Sequence, residues 1–364
     1  MIRSVSGHWM AMIASASQIL ALASCGRPPQ IVASPPFPEV FELVEVIELG
    51  EDPADSIAEI GVFVERQDGG FIIGDWRLPR VRTYTDDGSL KGAFGRFGDG
   101  PWELQRISSV AETASGQIVV SSPRNRWLTY LNSDLSPDTL VGIGANAVLQ
   151  MFPFGPDIVF YGIGPAGTIH DVAMQDGYFH RLVDGSVAWT SWTTPIFGMP
   201  YWHGFGDVTG AVAGDSIFAM AKLLYPATIL NGAGDSVGAI GTPSPSFRRI
   251  PEIEFGAYAT TSPRGQDASD VLGTFDLVSR IDVVAGSHLV FTLGQHDETK
   301  PFYPFRVLHT RLEVYDRHTG TKLYDDVLLS GGVKVLGGGR YLYVLQNPDI
   351  PPWRIAKYRL RVAD

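Results

Sequence analysis

A stretch of this chain repeats itself at a spacing of 46 residues, with no gap needed to see it. Gly70-Phe71-Ile72-Ile73 lies over Gly116-Gln117-Ile118-Val119, and the same shift carries Arg80-Val81-Arg82-Thr83-Tyr84 onto Arg126-Trp127-Leu128-Thr129-Tyr130. The second half of the pattern (Arg, an apolar residue, two variable positions, Tyr) returns as Arg311-Leu312-Glu313-Val314-Tyr315 and as Arg354-Ile355-Ala356-Lys357-Tyr358. Such a period marks a supersecondary unit that cannot bury its apolar face alone and must stack on copies of itself. The fold is therefore an array.

The kind of array follows from the turns. Three copies run into a polar turn, at Asp86-Asp87-Gly88, Asn132-Ser133-Asp134 and His318-Thr319-Gly320, and weaker copies stand at Leu182-Val183-Asp184-Gly185-Ser186 and Ile229-Leu230-Asn231-Gly232. An earlier tight turn falls in each unit, at Asp68-Gly69-Gly70, Ser115-Gly116, Gly155-Pro156-Asp157, Ala213-Gly214-Asp215, Ala285-Gly286-Ser287 and Gly337-Gly338-Gly339. Apolar, β-prone runs such as Ile158-Val159-Phe160-Tyr161 flank these turns, which reads as hairpins. With 41 Gly and 25 Pro the chain is too punctuated for a helical bundle, and at 45% hydrophobic it is too apolar for disorder. Six units of four antiparallel strands predict an all-β, six-bladed β-propeller over residues 40–364. The last unit lacks an outer strand before Asp364, and Val40–Leu49 is placed to supply it and close the ring.

The sequence resembles a known family at this point, the six-bladed, NHL-like β-propellers of bacterial lipoproteins. The resemblance is carried by Gly74-Asp75-Trp76-Arg77 leading into Arg80-Val81, by Asp87-Gly88, and above all by Phe94-Gly95-Arg96-Phe97-Gly98-Asp99-Gly100-Pro101-Trp102-Glu103-Leu104. The last run is similar to the family's Gly-rich link between blades, where a Gly usually stands in place of Trp102. The close match covers about residues 58–143. It implies a fold and a location, since the family shares no single activity.

The N-terminus agrees on location. Arg3 precedes an uncharged run from Ser4 to Ser24, built like a signal peptide and too polar to span a membrane. It ends in Leu22-Ala23-Ser24-Cys25-Gly26, which resembles the bacterial lipobox, and Cys25 is the one cysteine of the chain. We expect residues 1–24 to be removed, Cys25 to be lipidated, and residues 25–39, with Pro28, Pro29, Pro35, Pro36 and Pro38, to tether the domain to the membrane on the periplasmic or cell-surface side. One cysteine leaves no disulfide framework. The net charge of −11 argues against nucleic acid as a partner.

Three short motifs lose meaning in this setting. Gly234-Asp235-Ser236-Val237-Gly238 matches an esterase nucleophile elbow but falls on a hairpin turn rather than between a strand and a helix. Gly162-Ile163-Gly164-Pro165-Ala166-Gly167 matches a dinucleotide fingerprint, yet Pro165 and the neighbouring hairpins favour a loop. Gly95–Gly100 lacks the Lys and Ser/Thr of a phosphate loop.

Strand alternation puts the first and third turns of every blade on one face and all remaining connections on the other. The extra length falls in the second set, at 163–177, 193–206, 241–270, 294–308 and 346–353, and long loops at one end of a rigid scaffold are where binding occurs. This face is expected to collect Trp76, Arg77, Trp102, Arg124, Trp202, His203 and Trp353, with Arg248 and Arg249, suited to stacking on a glycan, peptide or protein partner. For each Trp the alternative is packing between blades. The primary expectation is a membrane-anchored binding or scaffold lipoprotein that needs no cofactor. The alternative is a divalent-metal hydrolase or lyase at the channel mouth, using His170, Asp171, His203, His296, Asp297 and Glu298, although no pair has a diagnostic ligand spacing.

Overall fold

The computed structural model describes residues 34–53, 55–122, 127–143, 147–163, 177–194, 208–222, 224–249, 275–296, 307–329, 333–348 and 351–362. After one helical turn, Phe37–Val40, the described residues form β-strands and the turns and loops between them. Strand β1 is Phe41–Glu48. Blade 1 holds β2 (Ile60–Glu65), β3 (Phe71–Asp75), β4 (Val81–Tyr84) and β5 (Leu90–Phe94). Blade 2 holds β6 (Ser109–Glu112), β7 (Ile118–Ser121), β8 (Trp127–Leu131) and β9 (Pro137–Gly142). Blade 3 holds β10 (Ala147–Phe154), β11 (Asp157–Ile163), β12 (Gly177–Val183) and β13 (Ser186–Thr194). Blade 4 holds β14 (Val208–Ala213), β15 (Ser216–Ala221), β16 (Ala227–Leu230) and β17 (Ser236–Ile240). Blade 5 holds β18 (Asp276–Val284), β19 (His288–His296), β20 (Val307–Asp316) and β21 (Lys322–Leu329). Blade 6 holds β22 (Lys334–Gly338), β23 (Leu342–Leu345) and β24 (Arg354–Leu360).

Each blade is a four-stranded antiparallel sheet in chain order, and the sixth is completed by β1 in the order β1-β24-β23-β22. β1 pairs with β24 from Phe41 opposite Leu360 to Glu48 opposite Arg354, so the N-terminal strand closes the ring as expected. Along that seam Glu48 meets Arg354 at 3.0 Å and Glu45 meets Lys357 at 3.7 Å. Phe37 stacks on Phe41 and meets Tyr358 edge-on. Residues 37–39, read as the end of the tether, thus pack on the blade, because a buried Phe37 ring gains more there than in water.

The first strands of successive blades touch in a circle, β2 to β6 to β10 to β14 to β18 to β22 and back to β2. They therefore surround the axis. The 46-residue repeat appears as neighbouring blades 1 and 2, with Ile72 and Val81 of one packing against Val110, Ile118 and Val120 of the other. The repeat also places Arg66 against its own counterpart: Arg66 Nε donates to Glu112 Oε1 at 2.9 Å, both side chains 5% accessible. Elsewhere between blades, Glu313 accepts from Tyr225 Oη at 2.8 Å and the Ser244 amide at 3.0 Å, and within its own blade from Lys322 Nζ at 3.0 Å.

One expected turn shifts. Gly337 and Gly338 belong to β22, and the turn follows them. Gly338 is needed for close approach, since a Cβ there would lie 2.6 Å from the Val283 carbonyl oxygen of blade 5. The elbow-like Gly234-Asp235-Ser236 is the turn into β17, and a strand, not a helix, follows it.

Candidate binding face and channel mouth

Strand bounds divide the connections sharply. Those joining the first strand of a blade to its second, and the third to its fourth, span two to five residues each. The opposite strand ends are separated by 49–59, 95–108, 164–176, 195–207, 241–275, 297–306 and 346–353 in the chain, and elsewhere at that end by four or five residues. A rigid ring with length added at one end is built to present a surface there.

Three of the expected residues can be placed in detail. Trp76 follows β3 on the long-loop face and is 39% accessible. Its amide donates to Glu59 O at 2.9 Å, and its ring lies against Gly61, where a Cβ would come within 2.8 Å of the Trp76 Cβ. Arg77 Nε donates to Glu59 Oε2 at 2.9 Å on the open surface. Trp102 sits in the link between blades 1 and 2 with φ 65°. That left-handed conformation is the physical reason a Gly suits the position.

Trp353 is a correction. It is 3% accessible, its Nε1 donates to Ile57 O at 3.3 Å, and it packs with Ile57, Ile60 and Ile355 between blades 6 and 1. A large ring with one donor was better satisfied in the seam than at the rim, so it offers no surface to a ligand. Arg248 is likewise engaged, donating through Nε to the buried Asp276 at 3.1 Å, while Arg249 is exposed. His296 ends β19 at the long-loop face. Cys25, Arg124, His170, Asp171, Trp202, His203, Asp297 and Glu298 lie outside the described residues. Among the described residues no cluster of three or more His, Cys, Asp or Glu could hold a metal ion.

Sequence reasoning singled out none of three cations that stand on or next to the inner strands. Arg106 precedes β6, and its guanidinium lies over the Trp76 ring at 3.4 Å from the centroid. Lys334 opens β22 and donates to Ile60 O of the neighbouring blade at 2.8 Å. Arg280, on β18, is held by Asp282 through two bonds, 3.0 Å at Nε and 2.8 Å at Nη2. Lys334 is exposed and the Arg280 side chain 37% accessible, yet both are flanked by protein strongly enough to alter their proton affinities. That combination is what a narrow channel wall imposes. Lost solvation, opposed by Glu59 and reinforced by Arg280, holds the Lys334 ammonium below the usual lysine range. For Arg280 the lost solvation is outweighed by Asp282, which holds the guanidinium above its ordinary value. No signal in the repeat marks these cations, because each occupies a different strand position.

No protein-family model matches this chain, and no curated protein does. Among solved structures it is similar to a "Putative exported protein" of Bacteroides fragilis NCTC 9343, at 13% identity and a TM-score of 0.65, over 90% of this chain and 97% of that one. It is also similar to a member of the DUF4221 family from Bacteroides vulgatus ATCC 8482, at 11% identity and a TM-score of 0.62, over 89% and 99%. Likeness at such identities is likeness of fold, spread over nearly the whole of each chain. The protein is an all-β, six-bladed propeller of four-stranded blades, its ring closed by the N-terminal strand.

Proposed function

We propose that the protein is an exported lipoprotein, anchored through Cys25, whose NHL-like propeller presents its long-loop face to a glycan, peptide or protein partner outside the cytoplasm. The observation that carries this reading is the division of connection lengths: two to five residues on one face, up to 35 on the other, at 241–275. A fold neighbour named "Putative exported protein" supports the location, as do the uncharged run to Ser24 and the lipobox-like Leu22-Ala23-Ser24-Cys25. Among the described residues no helix is long and apolar enough to cross a membrane.

Two experiments test the two halves. Replacing Cys25 by Ser is expected to move the protein from the membrane fraction to the soluble fraction, and unchanged membrane association would contradict the anchor. Replacing connections 164–176 and 195–207 by short hairpin turns is expected to abolish partner capture by cross-linking in cells, whereas altering the tips 132–136 and 231–235 on the opposite face leaves it intact. The reverse pattern overturns the assignment of the face.

A further inference from the structure

At the long-loop end of the inner strands three cations, Arg77, Arg106 and Lys334, stand with one carboxylate, Glu59, in a chain whose formal charge is −11. Their arrangement centres on the first residues of β2. From the blade 2 side, Arg106 lies over Trp76, and Trp76 rests on Gly61 so closely that the indole cannot retreat. A guanidinium stacked in this way has its flat face occupied by the ring and its N–H edge left to face a ligand. Among the described residues Arg106 has no carboxylate partner. From the blade 6 side, Lys334 spends one of its three N–H donors on Ile60 O, next to Gly61, and also has no ion pair within contact distance among the described residues. Glu59 between them is held by Arg77, and Asp282 deeper in the channel by Arg280.

We propose that the channel mouth between Arg106 and Lys334 is a binding site for a carboxylate-bearing ligand. Arg106 presents a planar fork that matches two carboxylate oxygens, and Lys334 supplies a point charge across from it. The concave wall focuses the field and draws anions inward against the net negative charge of the protein. Glu59 leaves Arg77, Arg106 and Lys334 at a net +2, which attracts anions, and the planar fork of Arg106 matches the two coplanar oxygens of a carboxylate. Lys334 stands below its ordinary proton affinity, so a bound anion restores what burial removed. The proposal rests on the long-loop face being the binding face and gives that face its ligand chemistry. A carboxylate can come from an acidic sugar or from a peptide terminus.

The test is a titration of the purified protein, followed by saturation-transfer NMR, with sodium D-galacturonate and N-acetylglycine as carboxylate probes and D-galactose and inorganic phosphate as comparators. At least one carboxylate is expected to bind, more tightly than galactose or phosphate, and to weaken as salt is added. Tighter galacturonate indicates an acidic glycan; tighter N-acetylglycine indicates a peptide terminus. Arg106→Ala is expected to weaken binding by about tenfold or more, the worth of a charge-assisted hydrogen bond. Arg106→Lys keeps the charge but not the fork and recovers only part of the loss. Its melting temperature, unchanged from wild type, separates lost binding from lost folding. The proposal is overturned if neither carboxylate binds, if Arg106→Ala and Lys334→Met bind as well as wild type, or if phosphate binds tightest. Such a failure leaves the face assignment standing, because partner capture after loop replacement reads that separately.

Discussion

Replacing Glu112 by Ala is the sharpest test of how the blades are held together. Glu112 Oε1 accepts from Arg66 Nε at 2.9 Å and Oε2 from the Gln67 amide at 2.8 Å, all across the seam between blades 1 and 2. The remaining partner of Arg66 is Asp68, 3.5 Å from Nη1 and half exposed. Removing Glu112 thus strands a nearly buried guanidinium and a backbone N–H together. Breaking a buried pair from one side costs about 3–5 kcal/mol, far above the ~1 kcal/mol ceiling of a surface pair. In a domain of this size each kcal/mol lowers the melting temperature by roughly 2–4 °C, so Glu112→Ala is expected to melt about 6–20 °C below wild type by calorimetry. Substituting both partners, Arg66→Met with Glu112→Leu, removes both charges and is expected to restore most of the loss. A fall below about 1 kcal/mol for Glu112→Ala refutes the reasoning, as does a double variant no better than the single one.

Other outcomes follow from single residues. Burial holds the His180 imidazole at about 4, against an ordinary value of 6.5; the ring stacks on Phe160, and Nδ1 lies 2.9 Å from Thr190 Oγ1. A depressed histidine stabilises the fold fully above 6.5 and loses that contribution as pH falls towards 4. The gap, at about 1.4 kcal/mol per pH unit, is worth about 3 kcal/mol. Denaturant unfolding at pH 7 and pH 4 is therefore expected to show wild type losing about 3 kcal/mol more than His180→Asn, and equal losses would contradict it. Trp102→Gly relieves a left-handed residue at a cost in unfolded-state freedom, so its stability is expected within about 1 kcal/mol of wild type; Trp102→Val, β-branched in the same conformation, should be clearly worse by the same unfolding assay. Trp353→Ala is expected to lose about 3–5 kcal/mol, detected as a lower denaturation midpoint, and a near-neutral result would return Trp353 to the surface.

Much of the architecture was legible before any coordinates because its signals are local. A tight turn is specified by a few adjacent residues, such as Asp68-Gly69-Gly70 with the Asp68 side chain accepting from the Gly70 amide at 3.0 Å. Strand alternation between turns then fixes which connections share a face, so the long-loop face was readable from spacing alone. Trp76 and Arg77 could be assigned to that face because they stand directly after a repeated strand. Trp353 was misjudged because its loop position was legible and its burial was not. Arg106, Arg280 and Lys334 were missed because they come from three different blades and stand at no common position of the repeat.

The sequence alone determined the repeat, the number of units, the strand that completes the last one and the face that carries length, since each depends on residues close together in the chain. The tertiary structure decided what the variable positions of the motif do. Arg82 and Glu313 occupy the same place in two copies and look like exchangeable surface charges. Folding buries both: Arg82 is tied to Asp55 at 2.9 Å, and Glu313 is ringed by Tyr225, Tyr315 and Lys322. Glu65 reaches Arg340 at 2.7 Å only because the ring closes. Such contacts join residues up to 306 positions apart; the field and solvation at each depend on the facing blade, and local sequence carries no record of which residues that blade will present.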